Sequence, residues 1–392
     1  MVVFEPLDDP LKVLPLPLML LALLGVNKNP SERFRLYAIY AYLSIALFIP
    51  KLCLGYETIP QCFRSIAEGM FSFNTTITFI MLPLKMDNLE GLLKNLKRFT
   101  EIVILNEDYE QILIRLNTAI HKFTKYYFIF TNGIVFAMTS STIAGMFYTY
   151  YTKDSERSTA FPLVFENRLY LIDSHYNLGH CFVHQALMFF ALYILLVMFT
   201  AKAGTLFGLI RFCSTVLGII VLKIERLCQI GPVDQYTAEL SEIIELHQLV
   251  IKCSRQLQNI LMEILLAQFT GCVFIWCFML YYVMISGITA EGIAVGAMLI
   301  ALSTETFIFC LLGNELTLKV SNFAVYYKLN HYCKIEQGLE ISTAMYSTNW
   351  YDQPVKLQKM VVPIIQQSQQ RIGITAAKFY YIDYNRYGQV RC

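Results

Sequence analysis

An all-α, polytopic membrane fold is predicted by three observations on this 392-residue chain. Apolar residues make up 56% of it and charged residues only 15%, against about 25% charged in a soluble globular chain. Six apolar stretches are each long enough to cross about 30 Å of hydrocarbon as helix. The Lys and Arg residues between them alternate in density, which orients the chain. A net charge of +2 gives no reason to expect nucleic acid as a partner. Eleven cysteines without a CxxC pair imply neither a disulfide framework nor a zinc module. No nucleophile triad, P-loop or dinucleotide fingerprint is present, so neither an enzyme nor a bound cofactor is expected.

The chain opens on an apolar run at residues 13–26 that lacks the basic start and small-residue cleavage site of a signal peptide. Pro15 and Pro17 interrupt it, and the reading is a segment lying at the membrane interface. The predicted spans are 36–54, 66–84, 126–148, 181–201, 261–285 and 293–312. Lys and Arg concentrate before Leu36 and in residues 85–125, 202–255 and 319–371. On the other side lie only Lys51 and Arg64, then Lys153, Arg157 and Arg168. The positive-inside bias therefore places the N-terminus in the cytoplasm, the reverse of a G-protein-coupled receptor.

The connections on the basic side are themselves helical. Leu240, Ile243, Ile244, His247, Val250, Ile251, Ser254, Leu257 and Leu261 repeat at helical spacing, with Glu242, Glu245, Lys252 and Arg255 off that stripe. One helix should run from there straight into the fifth span, and residues 87–125 read similarly. A helical bundle below the membrane, suited to subunit assembly, is the expectation.

Glu68, Glu263 and Glu305 fall in or beside spans, where a charge costs about 2.5–3.5 kcal/mol on insertion scales. Two readings stay open: lining an ion path, or bonding between helices. His180 and His184 could share a helix face, but no third ligand at fixed spacing supports a zinc site. Asn74 heads an NTT sequon inside the second span, where a bond to a neighbouring helix or to a ligand is preferred. Polar and aromatic residues mix in the outer halves of spans two to four, the pattern of a concave site for a small apolar ligand. The candidates are Phe71, Phe73 and Asn74, then Ser141, Thr142 and Phe147, and finally Gln185, Met188, Phe189 and Tyr193.

At "CLLGNELTLK" (310–319) and "AMYSTNWYDQPVKLQKMVVPIIQQSQQRIGITAAKFYYIDYNRYGQV" (344–390) the sequence resembles the insect odorant receptors. The family's turn closing the sixth span, its Tyr-x-x-x-Trp-Tyr step and its Ala-Lys-Phe-Tyr lead into a seventh span are all matched, and residues 184–227 and 245–261 follow it too. The resemblance implies one domain over 1–392 with seven spans and a cytoplasmic helical anchor. It implies a tuning subunit of a ligand-gated, non-selective cation channel, in a heterotetramer with a co-receptor. Its ligand would be a small volatile odorant, its surroundings membrane lipid, and its place the plasma membrane of olfactory sensory neuron dendrites. His247, Asn314, Glu315, Tyr346, Trp350 and Tyr351 would belong to the subunit anchor, and Phe379, Tyr380 and Tyr384 to the pore helix. A gustatory-type subunit and a secondary transporter are the alternatives. The latter should show internal repeats with broken helices, and no half-to-half echo is seen.

Two departures from the family pattern stand out. Residues 320–337 have no family counterpart. Val320-Ser321 can be encoded as a splice donor and Gln337 as an acceptor, so a retained in-frame intron is one reading and a lineage-specific loop the other. The seventh span, 379–392, has about 21 Å of helix available, short of about 30 Å. The expectation is a truncated pore helix and a chain that passes no current.

Overall fold

The computed structural model describes residues 11–26, 30–54, 56, 58–152, 160–170, 173–227, 229–287, 289–318, 340–369, 375–376 and 380–381. Helices α1 (Pro15–Leu23) and α2 (Pro30–Leu43) come first, and α2 continues through a π-helical turn, Ser44–Phe48, into α3 (Ile49–Cys53). Then follow α4 (Ile59–Leu84), α5 (Met86–Val103), α6 (Glu107–Tyr151), α7 (Leu178–Leu227), α8 (Val233–Ser286) and α9 (Ala290–Leu318). After residue 340 come α10 (Glu340–Tyr346), a 3-10 turn at Trp350–Asp352 and α11 (Val355–Ser368). Beyond the helices, the described residues hold one antiparallel ladder, in which Thr375–Ala376 (β1) pairs with Tyr380–Tyr381 (β2).

Among the described residues five helical stretches are long and apolar enough to cross a membrane: Arg33–Cys53, Glu107–Tyr151, Leu178–Leu227, Val233–Ile285 and Glu291–Leu312. Residues 66–84, read as a span in the sequence, lie in α4, which carries Arg64 and Glu68 in its first half. The expected continuity through the fifth span is present: α8 runs unbroken for 54 residues, about 80 Å at 1.5 Å per residue. Pro232 precedes it, and Gly287, with φ 65°, ends it in a left-handed conformation that suits glycine. Helices α6 and α7, with 45 and 50 residues, also exceed the roughly 30 Å of a bilayer core.

The end where α4, α7 and α9 begin is here the upper end. At the lower end α5 to α8 form the bundle anticipated by the amphipathic stripe. It is stitched by Arg226–Asp108 at 2.5 Å, Lys223–Glu242 at 2.9 Å and Arg98–Glu245 at 2.6 Å. Helix caps fix the entries: Thr58 and Gln61 form a reciprocal capping box on α4, and Asn106 Oδ1 accepts from Asp108 N at the start of α6.

The N-terminal segment differs from expectation in one respect, the effect of its prolines. Pro15 begins α1 instead of breaking it, because the first helical turn needs no donor from its proline. Leu14, Leu16, Leu20 and Leu21 are buried, and α1 packs on α7 at Gly208, where a Cβ would meet the Leu14 side chain.

Candidate functional site

A cavity opens inside the upper half of the bundle. Phe71 of α4 and Leu192, Leu196 and Phe199 of α7 form one side, and Met298 and Ala301 of α9 another. Helix α6 closes it with Thr131, Val135 and Met138. Its volume is about 40 Å³, room for about three waters. Two methionines in the wall give it the freedom to repack around a larger guest. Thr131 is the one lining residue with a hydroxyl, and that Oγ1 already bonds the Tyr127 carbonyl at 2.9 Å and Thr200 Oγ1 at 3.2 Å.

One turn below the cavity lies a buried polar network. Lys202 of α7 meets Glu305 Oε1 of α9 at 3.0 Å, and its Nζ donates to Gln268 Oε1 of α8 at 2.9 Å and Thr78 Oγ1 of α4 at 3.2 Å. Gln268 Nε2 donates to Glu305 Oε2 at 2.7 Å, and Asn74 Nδ2 reaches Gln268 Oε1 at 3.4 Å. The ammonium also sits 5.3 Å from the centre of the Phe199 ring, a cavity wall. Four helices thus meet at one ion pair. Gly271 makes the approach of α8 to α4 possible, because a Cβ there would stand 2.5 Å from Asn74 Oδ1.

A second network seals the upper end. Arg64, wholly buried, pairs with Glu68 at 2.7 Å, Glu291 at 2.9 Å and Glu166 at 3.3 Å, and also donates to the Leu163 carbonyl. Lys51 bonds Glu68 at 2.9 Å, Ser65 at 3.2 Å and the Glu166 carbonyl at 2.8 Å. Residues 160–170 are thereby drawn down into the helices, with Phe161, Leu163, Val164 and Phe165 buried. Asn167 Nδ2 donates to the Ala46 carbonyl at 3.2 Å and Tyr170 Oη to the Ile45 carbonyl at 3.0 Å, both in the π-helical turn. A π turn leaves carbonyls outside the regular ladder, and here the loop uses them. Burial pushes the Glu166 carboxyl up, but its His175 bond and the charges of Arg64, His175 and Lys51 outweigh this and hold it below its ordinary range.

Of the ten residues expected to bind ligand, Phe71 lines the cavity. Asn74 is in the network beneath it, bonded to the neighbouring helix as one of the two sequence readings had it. Thr142 is buried with its hydroxyl turned to the Met138 carbonyl at 3.0 Å, and Ser141 bonds the same carbonyl at 2.9 Å. Gln185 and Met188 are buried against the sealing loop: Gln185 Nε2 donates to the Pro162 carbonyl and Asn167 Nδ2 approaches Met188 Sδ. Phe73, Phe147, Phe189 and Tyr193 point outward with exposed side chains. Their aromatic character suits a lipid-facing surface as well as a pocket wall.

The intramembrane acids Glu68 and Glu305 are both paired between helices, and Glu263 meets Lys85 at 2.8 Å near the lower end. His184 bonds Asn167 Oδ1 at 2.7 Å, whereas His180 is exposed. Of the anchor residues, His247 is buried and bonds Ser368 Oγ at 3.2 Å, tying α8 to α11. Tyr346 and Tyr351 are exposed, and Trp350 is half-buried between them. Asn314 and Glu315 lie on the last turns of α9, with side chains outside the described set. Tyr380 stands in β2, so where helix was expected from 379 the described pair is extended, held by a ladder to Thr375–Ala376. Phe379, Tyr384 and residues 320–337 lie outside the described residues.

Sequence reasoning missed Lys202, which was counted with the loop after the fourth span. The signal available was an ionisable residue at the end of a long apolar run, facing Glu305 in another.

The fold is similar to two solved structures of the olfactory receptor OR5 from the insect Machilis hrabei. The structure with eugenol gives a TM-score of 0.70 at 12% identity, covering 98% of this chain and 96% of that one. The other gives 0.67 at 15% identity, covering 93% and 87%. No curated protein matches the chain. The family model described as 7tm Odorant receptor matches residues 58–332 and 332–390, nearly the whole sequence. A multi-pass helical membrane protein with these matches is a member of the seven-transmembrane odorant receptor family.

Proposed function

We propose that the chain is the ligand-binding subunit of an odorant-gated, non-selective cation channel, assembled with a co-receptor in the plasma membrane of olfactory sensory neurons. The N-terminus and the lower bundle face the cytoplasm in this reading, in keeping with the Lys and Arg distribution. The observation that carries it is the apolar cavity between α4, α6, α7 and α9. Such a cavity suits a small volatile and offers little to a charged solute. The similar Machilis hrabei receptor was solved with eugenol, a ligand of that class.

A guest larger than the cavity must part α7 and α9, whose nearest tie is Lys202–Glu305. Ligand binding then favours whichever arrangement of those helices gives it more room, and that preference is the gating free energy. The lower bundle, with His247, Trp350 and the exposed Tyr346 and Tyr351, serves as the surface between subunits.

The test reads binding, assembly and conduction separately. The full chain is expressed with and without co-receptor, and a panel of volatiles is screened by ligand-induced rise in unfolding temperature and by whole-cell current. We expect co-purification of the two subunits and a thermal shift that A301F abolishes. A chain that no volatile stabilises, or one that A301F leaves equally responsive, defeats the proposal.

A further inference from the structure

We propose that guests reach the cavity sideways, from the hydrocarbon of the bilayer, through a portal on the outer side of α6 in which Ile134 is the door. This rests on the odorant-cavity reading above and adds to it the route of entry.

Both ends of the cavity are barred by charge. Above it, Phe161, Leu163, Val164 and Phe165 are buried in the top of the bundle, held there by Arg64 on Glu166 and by Lys51 on the Glu166 carbonyl. Below it stand Lys202 and Glu305, with Gln268 and Thr78 around them. Opening either end leaves a buried charge without its partner, which is strongly destabilising.

The side is different. Among the described lining residues Ile134 alone is half-buried, and the rest are buried. Ile134 therefore touches the cavity and the outer surface at once. The helix is thinly clad around it: a Cβ at Gly133 would meet no atom within 4 Å, and Ala137, one turn on from Ile134, is exposed. Phe130, one turn back, is exposed too. Residue 134 lies near the middle of the predicted span 126–148, so what meets this surface is hydrocarbon, not water. An apolar volatile is concentrated there, since each methylene favours hydrocarbon over water about fourfold. A β-branched side chain in a helix keeps one χ1 rotamer most of the time. The door thus stands closed and opens by the turn of one side chain, with no ion pair broken.

The experiment uses the full chain in lipid nanodiscs and butyl(methyl)diazirine, a neutral hydrocarbon photolabel delivered from preloaded vesicles. Light is fired at set delays after mixing, and mass spectrometry reads label on the wall at Met138 and Met298 relative to the outward Phe136. In I134W the wall should label about tenfold more slowly than in the wild type, with Phe136 unchanged. A137W changes an exposed position, so it leaves the packing alone, and its side chain leans back over the turn that holds Ile134. It should slow the wall about threefold. E166Q, which loosens only the upper seal, should leave the rate as it is. Wall labelling of I134W and A137W at the wild-type rate overturns the inference, as does an E166Q change that restores fast labelling to A137W, or a wild-type wall that takes no label. A301F, which fills the cavity, should abolish wall labelling. If A301F leaves the wall labelled, the cavity reading itself fails; if it abolishes the label but A137W and I134W cause no delay, only the route is wrong.

Discussion

Among the described residues two buried charge networks lie in this bundle, and they are built on opposite plans. At the upper end two cations, Lys51 and Arg64, share three acids, with Arg64 meeting all three and Glu68 meeting both cations. In the middle one cation, Lys202, faces one acid, Glu305, with amide and hydroxyl groups around them. The upper network is redundant and holds a loop. The middle one has no spare partner and holds helices beside a cavity. Removing one charge should therefore be tolerated above and punished below, since a buried charge left alone carries the full desolvation cost.

The largest expected effect tests that contrast directly. K202M strands Glu305 and should destabilise the folded chain by about 3–5 kcal/mol, while the double variant K202M/E305M should recover most of the loss. Thermal unfolding in nanodiscs measures both, and a double variant as unstable as the single one would break the comparison. Next, E68Q leaves Arg64 with Glu166 and Glu291 and leaves Lys51 with Ser65, so about 1–3 kcal/mol is expected. A loss as large as that of K202M would show that the upper network is not redundant.

A third effect depends on pH. Because the folded Glu166 carboxyl is held below its ordinary range, its stabilisation is complete above the unfolded value and is lost as pH falls through the folded one. Protease cleavage in residues 160–170 should rise on acidification below the ordinary carboxylate range, and E166Q should be cleaved readily at all pH values. The smallest effect is that of Y170F, which removes one partly exposed bond to the π turn. It should cost about 0.5–1.5 kcal/mol at most, read as faster hydrogen exchange at residues 44–48.

Much of the fold was legible because apolar length and helical spacing report directly on helices. The stripe from Leu240 to Leu261 foretold a helix entering the fifth span, and α8 is that helix. The cavity was not legible in the same way. Its walls are Leu, Val, Met and Phe, residues that would look identical in a solid core, so no composition signal separates wall from filling. The search for mixed polar and aromatic residues found Phe71 but also Phe73, Phe147, Phe189 and Tyr193, whose rings face outward. Lys51 and Arg64 were read as sparse loop charges. Their meaning depends on Glu166, about a hundred residues away along the chain, and only the fold brings them together.

The unbroken α8 also has a mechanical meaning. Gln268 and His247 sit on the same rod, about 30 Å apart at the helical rise. A sideways shift of about 1 Å at Gln268 tilts that rod by only about 2°, an angle that packed helices accommodate by side-chain adjustment. Yet an unbroken rod passes that tilt to its far end undiminished. With His247 as the pivot, the length of α8 would convert a displacement beside a cavity no larger than a few waters into a change of angle at the His247–Ser368 contact.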